Sequence, residues 1–381
     1  MTISGPLSGV VVVEFQALGP APFCGMVLAD LGARVIRIER GQRLSSGSAT
    51  LGVDFLSRGR DSIILDLKSP DGVKIALELI GSADVLIEGY RPGVMERLGL
   101  GPDVATECNP RLVYGRVTGF GQEGPIASAA GHDINYLALA GCLAHIGLPE
   151  GPPLPPLNLV GDFGGGGMLL AVGVLAALLE ARASGIGQVI DAAMVDGAAL
   201  LMTSLCAPGT LSARGTNVPD GGSHFYGAYE CADKQYISIA SAEPQFYAIL
   251  RDLLGLTDPK WDAQMDRDQW PALKAELAEI FRSKTRAEWC ELLEGSDACF
   301  AAVLSLSEAP LHPHNKARRT FLDIDGFTQP APAPRFSRTS CSEPSLPAAP
   351  GSSTTSILGD LGYTQQQVAA LLDRRIAQAS A

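Results

Sequence analysis

The 381-residue chain carries little charge, and basic charge in particular is scarce. Charged residues make up 18% of it, and 41 Asp and Glu outnumber 29 Lys and Arg. Nucleic acids and anionic membranes are bound by basic surfaces, so a net charge of −12 disfavours both partners. A small anionic ligand remains compatible with this charge, because a few arginines can hold such a ligand locally.

The sequence also lacks paired cysteines, and we expect no signal peptide. Its eight cysteines include no CxxC pair and no metal-ligand spacing, which excludes a disulfide scaffold and predicts no metal site. The N-terminus has neither a basic nor an apolar signal region. The apolar uncharged run 163–179 is shorter than the roughly 20 residues of a membrane span, so we expect a helix buried in a soluble core. Together these features predict a cytoplasmic protein.

Short apolar runs alternate with helical patterns through the first half of the chain. This alternation predicts an α/β fold with a Rossmann-like parallel sheet and helices on both faces. The expected strands are 10–15, 34–39, 62–67, 84–88, 112–117 and 187–191, with helices at 23–31 and 71–80. The first turn carries Pro20 and Pro22 where a dinucleotide fold has GxGxxG, which weakens the case for an NAD-dependent dehydrogenase.

The pattern changes after residue 200. A glycine-rich hairpin, a strand at 235–240 and helices at 244–254, 270–281 and 287–295 predict a smaller α+β domain. The proline-rich stretch 330–350 predicts an extended arm. Thr364 and Gln367 form a capping box, which predicts the start of a C-terminal helix.

Among five histidines, His132 has the setting most favourable to chemistry. It precedes an apolar helix in the segment Gly131–Tyr136, where free backbone N–H groups favour a neutral imidazole that can act as a base. A capping or core histidine is the alternative, and the residue pattern alone favours it.

Two acidic residues are further candidates. Asp162 precedes a glycine run that opens an apolar helix, so it either caps that helix or holds a carboxylate where backbone approaches a ligand closely. Glu243 stands before Pro244 and another apolar helix, a position typical of a helix-start acid.

Taken together, these segments resemble the family III coenzyme A transferase (CaiB/BaiF-type) superfamily and, within it, the α-methylacyl-CoA racemases. The resemblance covers nearly the whole chain. The motifs that carry it include Met26–Ala33, Leu65–Lys68, Val85–Gly93, Gly131–Tyr136, Pro156–Gly167, Arg214–Asn217, Glu243–Tyr247 and Asp297–Cys299.

The resemblance implies an interlocked homodimer of two-domain chains. The large Rossmann-like domain would occupy 1–196 and the small α+β domain 225–325. A connection at 197–224 and a returning segment at 326–381 would join them. The active site would lie between the large domain of one subunit and the small domain of the other.

The resemblance also implies a reaction. Racemases of this type, which belong to fatty acid metabolism, move the α-proton of a 2-methylacyl-CoA thioester through an enolate. His132 and Asp162 would act on opposite faces, with Asn158 and Glu243 in support. Backbone N–H groups near His132 and Asp133, or in the glycines after Asp162, would bind the enolate oxygen. Two alternatives remain: a CoA-transferase with Asp162 as nucleophile, and an acyl-CoA binding protein without catalysis.

Coenzyme A would be part of the substrate, with no separate cofactor. By the same resemblance, its contact residues would be Arg40, Leu65, Asp66, Leu67, Lys68, Gly89, Tyr90, Arg91, Arg97, Gly131, Asp133 and Tyr136. Asp61 departs from the family pattern, which often has Lys-Arg-Ser where this chain has Arg60-Asp61-Ser62. It would place a negative charge near the expected nucleotide path.

Overall fold

The computed structural model describes residues 4–40 and 54–380. The strands are β1 Val11–Phe15, β2 Arg34–Glu39, β3 Arg60–Leu65, β4 Val85–Glu88, β5 Val113–Thr118, β6 Val189–Ala193, β7 Tyr226–Glu230, β8 Tyr236–Ala240, β9 Phe300–Ala302, β10 Phe321–Ile324, β11 Phe327–Pro330 and β12 Ala377–Gln378. The helices are α1 Pro20–Asp30, α2 Pro70–Ser82, α3 Val94–Arg97, α4 Pro102–Cys108, α5 Asp133–Leu139, α6 Leu169–Ser184, α7 Met194–Leu201, α8 Pro244–Leu254, α9 Trp270–Phe281, α10 Arg286–Leu293, α11 Pro313–Arg318, α12 Thr354–Asp360 and α13 Gln365–Asp373.

The predicted α/β fold is confirmed, and the strands expected in the first half of the chain all form. Within the described residues the sheet runs β12-β3-β2-β1-β4-β5-β6. β1 to β6 are parallel, and β12 pairs antiparallel with β3. Because β1 lies between β2 and β4, the direction of winding reverses there.

Both faces of the sheet are covered, which explains the nearly continuous apolar runs. Val12 aligns with Val35 and Val85, and all three contribute to the core that includes Leu170 and Val174 of α6. The neighbouring residues of each strand point the other way. That second core, whose members include Val13, Ile36 and Leu86, also receives Ile75 and Leu79 of α2.

The expected start of the first helix, at residue 23, is wrong. The helix begins at Pro20, and Gly19 precedes it with a φ of 70°. Proline fits the first helical position because its missing N–H has no intrahelical partner there in any case. The prolines expected to mark a turn therefore open the helix.

The apolar run 163–179 lies within a longer helical segment. Its first part, Leu159–Met168, is π-helical and leads directly into α6. A Cβ on Gly197 would overlap the carbonyl of Gly165, so glycine allows α7 to pack backbone against backbone there. Among the described residues, Leu159–Ser184 is the one helical segment long and apolar enough to cross a membrane by length and composition, and 44% of its most apolar stretch is buried inside the protein.

The chain divides into two compact units. The larger comprises the described parts of Met1–Ala140, Pro156–Met202 and Arg319–Ala381. Its tail packs through α12 and α13 against the core of the sheet, and the Thr364–Gln367 capping box is confirmed. The smaller unit comprises Gly141–Pro155 and Thr203–Arg318. It holds the antiparallel sheet β7-β8-β9 over an aromatic core that includes Phe225, Trp261, Trp270, Phe281 and Trp289.

A buried ion pair joins β1 to β3. Arg60 Nε donates to Glu14 Oε2 at 2.6 Å, and the two side chains are 1% and 0% exposed. Arg60→Met leaves the Glu14 carboxylate buried, with Arg37 Nε at 3.7 Å as its remaining cation. We expect the free energy of unfolding in urea to fall by about 3–5 kcal/mol, since a buried carboxylate that loses its hydrogen-bonded cation is strongly destabilising.

The matched control for this prediction is Arg374→Met. Arg374 pairs with Asp71 at 2.5 Å, and the two side chains are 61% and 44% exposed. Its loss should cost less than about 1 kcal/mol. Equal small losses in both variants would contradict the importance of the buried pair.

Candidate functional site

Most residues predicted to contact a ligand lie at one edge of the sheet. Arg40 directly follows β2, Leu65–Lys68 end and follow β3, and Gly89–Arg91 directly follow β4. These are the carboxyl ends of parallel strands, which meet at the same edge. In open α/β sheets ligands bind at that edge, near the point where the winding reverses.

His132 stands at the start of α5. It is the exposed residue before the first turn, and its N–H donates to Asn135 Oδ1 at 3.0 Å. The buried Tyr136 ring lies below, and its hydroxyl donates to the Gly131 carbonyl. A Cβ on Gly131 would lie 2.8 Å from Tyr136 Cε1, so glycine is required for this packing. The loop before α5 is therefore held firmly under His132.

Asp162 lies inside the π-helical segment. The interpretation that it caps the following helix is wrong, because Asn158 occupies the cap position. The N–H of Asp162 donates to Asp133 Oδ1 at 2.7 Å. A Cβ built on Gly19 would lie 3.6 Å from Asp162 Oδ2, which puts this carboxylate beside the turn from β1 to α1. The edge where the winding reverses thus holds a half-buried carboxyl group.

The pKa of Asp162 is raised to about 6. Burial is the main cause, and the negative charge of Asp133 adds to it. The Asn158 side-chain hydrogen bond and the charge of His132 act in the opposite direction. A carboxyl group with this pKa populates both protonation states near neutral pH, as a group that donates and accepts protons must. His132 directly precedes Asp133, whose side chain accepts the Asp162 N–H, so the chain brings His132 near Asp162.

Tyr136, by contrast, stays neutral. Burial raises its pKa to about 12, with further contributions from Asp162 and Asp133, while Arg91 lowers it. Its side chain is 5% exposed, so it supports the loop from within.

The predicted ligand residues form two local groups. The Arg40 guanidinium carbon lies 4.8 Å from the centre of the Tyr90 ring, a cation–π contact. Further along the edge, an open groove of about 540 Å³ has apolar walls and three basic side chains. It is lined by Leu67, Lys68, Pro70, Val73, Lys74, Leu77, Arg97 and Leu98. The sequence analysis missed Lys74. The one feature that could have pointed to it is its position on α2, one helical turn after Pro70 and so on the same side of the helix.

Several of the predicted contact residues are buried, or their side chains already form hydrogen bonds within the protein. Leu65 is 2% exposed and lies within β3. Asp66 is exposed, and its Oδ1 accepts the Lys68 N–H at 3.0 Å. At Gly89 a Cβ would lie 3.1 Å from Ala21 Cβ, so glycine lets this turn approach α1. Asp133 is 6% exposed, with its side chain bonded to Asp162.

Glu243 belongs to the smaller unit. It is exposed and directly precedes α8 as its N-terminal cap residue. Nearby in that unit, His224 is fully buried, and its Nε2 lies 2.8 Å from the Tyr247 hydroxyl. Burial lowers the pKa of His224 to about 4, which makes it a neutral core residue.

The fold and this edge define an α/β protein with a Rossmann-like sheet, an exposed histidine and a half-buried aspartate near the reversal of winding. The chain belongs to CoA-transferase family III, whose family model matches residues 7–353.

Two curated relatives match along their whole length. The chain is 44% identical over 382 residues to alpha-methylacyl-CoA racemase of Mus musculus, covering 98% of this chain and 97% of that protein. It is 43% identical to alpha-methylacyl-CoA racemase of Homo sapiens, covering 98% of each. The crystal structure of a CAIB/BAIF family protein from Brucella suis covers 94% of this chain and 100% of that one, with a TM-score of 0.81. At 24% identity, that likeness concerns the fold alone.

Proposed function

We propose that this protein is an enzyme that racemises 2-methylacyl-CoA thioesters. The observation that carries the proposal is the pairing of His132 with Asp162, a carboxyl group whose pKa is about 6. The two relatives named as racemases, at 43% and 44% identity, support the same activity. A carboxyl group whose pKa is raised toward neutrality, near an imidazole, suits a reversible proton transfer.

The reaction moves one proton off carbon and another onto it. One of the two groups accepts the α-proton, and the electron pair of the broken C–H bond passes to the thioester oxygen as an enolate. The other group then gives its proton to the opposite face of the same carbon. The group that acted as base ends protonated and the group that acted as acid ends deprotonated, which prepares the enzyme for the reverse direction.

The enolate oxygen needs a preorganised donor. The His132 N–H already donates to Asn135 Oδ1, so we assign this role to the N–H of Asp133, in the first turn of α5. First-turn N–H groups have no intrahelical partner. Coenzyme A is part of the substrate, and the proposed steps use no further cofactor and no metal.

Asn158 and Glu243 complete the proposed machinery. The hydrogen bond from Asn158 lowers the pKa of Asp162 and so limits the effect of burial. By the family resemblance, we assign Glu243 to holding the His132 imidazole in one orientation, the usual role of a carboxylate behind a histidine.

We place coenzyme A along the edge of the sheet from Arg40 to Arg97. The groove that Lys68, Lys74 and Arg97 share has apolar walls for a nucleoside and cations for phosphates. Arg40, Tyr90 and Arg91 follow β2 and β4 at the same edge of the sheet, and Arg40 contacts the Tyr90 ring. Gly131 and the loop before α5 would meet the acyl end.

We also propose a homodimer, acting in the cytoplasm on fatty acyl thioesters. Met168, at the end of the π-helical segment, and Val172 and Leu179 of α6 form an exposed apolar stripe, being 44%, 56% and 70% exposed. Leu200 of α7 is 61% exposed as well. Apolar surface of this extent usually marks an interface, and the family resemblance assigns it to a second copy of the chain.

The proposed activity predicts hydrogen exchange without an acceptor acid. A single enantiomer of a 2-methylacyl-CoA incubated in D₂O should gain deuterium at the α-carbon and lose optical purity. His132→Ala and Asp162→Asn should each slow exchange by at least about 10²-fold, the contribution of one positioned acid or base. His314→Ala, at an exposed position in the smaller unit, is the control and should exchange at the wild-type rate.

Other outcomes identify the alternatives. CoA transfer to a free acid, full activity of His132→Ala and an Asp162 adduct trapped by borohydride would show a transferase. Tight binding without exchange or transfer would show an acyl-CoA binding protein.

The proposed path predicts a defect in substrate binding when the groove loses its charge. Lys68→Ala and Arg97→Ala should each raise KM on the order of 10-fold with a smaller change in kcat, because these contacts act equally in ground and transition states. Lys234→Ala is the matched control, since Lys234 is 80% exposed and pairs with Glu230 in the smaller unit. An unchanged KM in both groove variants would remove the groove from the substrate path.

The proposed dimer predicts a mass of two chains in light scattering. Changing both Val172 and Leu179 to Asp should yield single chains, since two charges cannot be buried without partners. Val104→Asp on α4, where Val104 is 38% exposed, should leave the mass unchanged. A wild-type mass of one chain, or a double variant that stays dimeric, would contradict this interface.

A further inference from the structure

Asp133 is an unusual residue to find beside a reactive carboxyl group. Its side chain is 6% exposed. Oδ1 accepts the Asp162 N–H at 2.7 Å, while the buried Oδ2 has no hydrogen-bond partner among residues 4–40 and 54–380. A buried carboxylate oxygen without a partner costs stability. Such a group in a folded protein calls for a specific explanation.

Its position links the two proposed acid/base groups. Asp133 is the first residue of α5 and directly follows His132, and the N–H that it binds belongs to Asp162. Gly161 lies against this contact, because a Cβ there would sit 2.6 Å from Asp133 Oδ1. One short hydrogen bond therefore ties the start of α5 to the π-helical segment, and a glycine leaves room for it.

We propose that Asp133 is a positioning residue, which holds His132 and Asp162 in register through its bond to the Asp162 N–H and acts on the Asp162 carboxyl through its charge. This inference rests on the proposed racemase function. It concerns the side chain of Asp133, which is engaged inside the protein, and is separate from the contact proposed for the backbone N–H of the same residue.

The charges around Asp162 single out Asp133. The titratable groups on the elements packed against its segment are His132, Asp133 and Tyr136 at α5, Cys24 and Asp30 on α1, Asp196 on α7, Glu180 and Arg182 on α6, Tyr114 and Arg116 on β5, and Asp191 on β6. Of these, Asp133 raises the pKa of Asp162 and His132 lowers it. Removing the charge of Asp133 must therefore favour the ionised form of Asp162.

Two variants separate the bond from the charge. Asp133→Asn keeps an oxygen that can accept the Asp162 N–H but removes the negative charge. The limb of the kcat/KM–pH profile that Asp162 controls should move to lower pH by about one unit. Where Asp162 acts as the acid, the rate at pH 7 falls; where it acts as the base, the low-pH limb extends further down.

Removal of the bond should act on kcat. Asp133→Ala and Gly161→Ala should each lower kcat by about 10²-fold with a smaller change in KM, because a displaced catalytic group loses orientation. Asp103→Asn is the matched control: the same substitution in the first turn of α4, at an exposed position, should change neither kcat nor the pH profile.

The results distinguish a failure of the Asp133 proposal from a failure of the proposed racemase function. Wild-type kcat and pH limb in both Asp133 variants would overturn the proposal, and so would a rise in KM alone, which indicates a ligand contact. Absence of exchange in the wild type would refute the proposed function instead. In that case the ¹³C-carboxyl titration of Asp162, assigned with Asp162→Asn, still decides: a midpoint lowered by Asp133→Asn supports the proposal, and an unchanged midpoint overturns it.

Discussion

The parallel pairing of β1 with both β2 and β4 is the constraint on which the rest of the structure depends. It makes the winding reverse at β1, so the loops after β1 and β4 diverge and leave space at the carboxyl edge of the sheet. Gly19 and Gly89 lie in these two loops, and both keep the backbone close to its neighbours. Asp162 lies next to the first loop. The candidate site exists because of this one reversal.

Buried carboxylates in the larger unit fall into two kinds. Glu14 and Glu88 are fully buried but bonded to Arg60 and Arg116, at 2.6 and 2.8 Å. They join strands, and their charges are compensated. Asp133 and Asp162 share a hydrogen bond through the backbone of Asp162, and no arginine or lysine in the described part of the chain forms an ion pair with either. The buried carboxylates that join strands are thus paired with arginines, whereas the two carboxyl groups next to the proposed proton transfer are not.

The acidic composition does not oppose an anionic substrate. Lys68, Lys74 and Arg97 line one groove and provide positive charge there. Asp61 lies elsewhere and pairs with Arg34. Asp61 lies near the amino end of β3, and its carboxylate accepts from Arg34 Nε at 2.9 Å. Its negative charge is therefore compensated at the end of the strand opposite to the proposed path of the coenzyme.

The sequence by itself determined the strands of the parallel sheet and their order along the chain. Apolar runs covered on both faces marked β1 to β6, and signals at the helix ends marked the starts of α8 and α13, because these depend on local periodicity and on the chemistry of helix ends. The motif around His132 and Asp162 also identified the family. What the sequence left open was the surroundings of these two residues in the fold, and the place of Lys74 in the groove.

Only the tertiary structure decided those points, because they depend on contacts between residues far apart in the chain. It placed Asp162 inside the π-helical segment that Asn158 caps, next to the turn after β1. It also buried this carboxyl group enough to raise its pKa. It also turned the Asp133 carboxylate into the backbone of Asp162, 29 positions away along the chain. No local pattern encodes such a bond, since it forms only after α5 and the π-helical segment have packed on the same edge of the sheet.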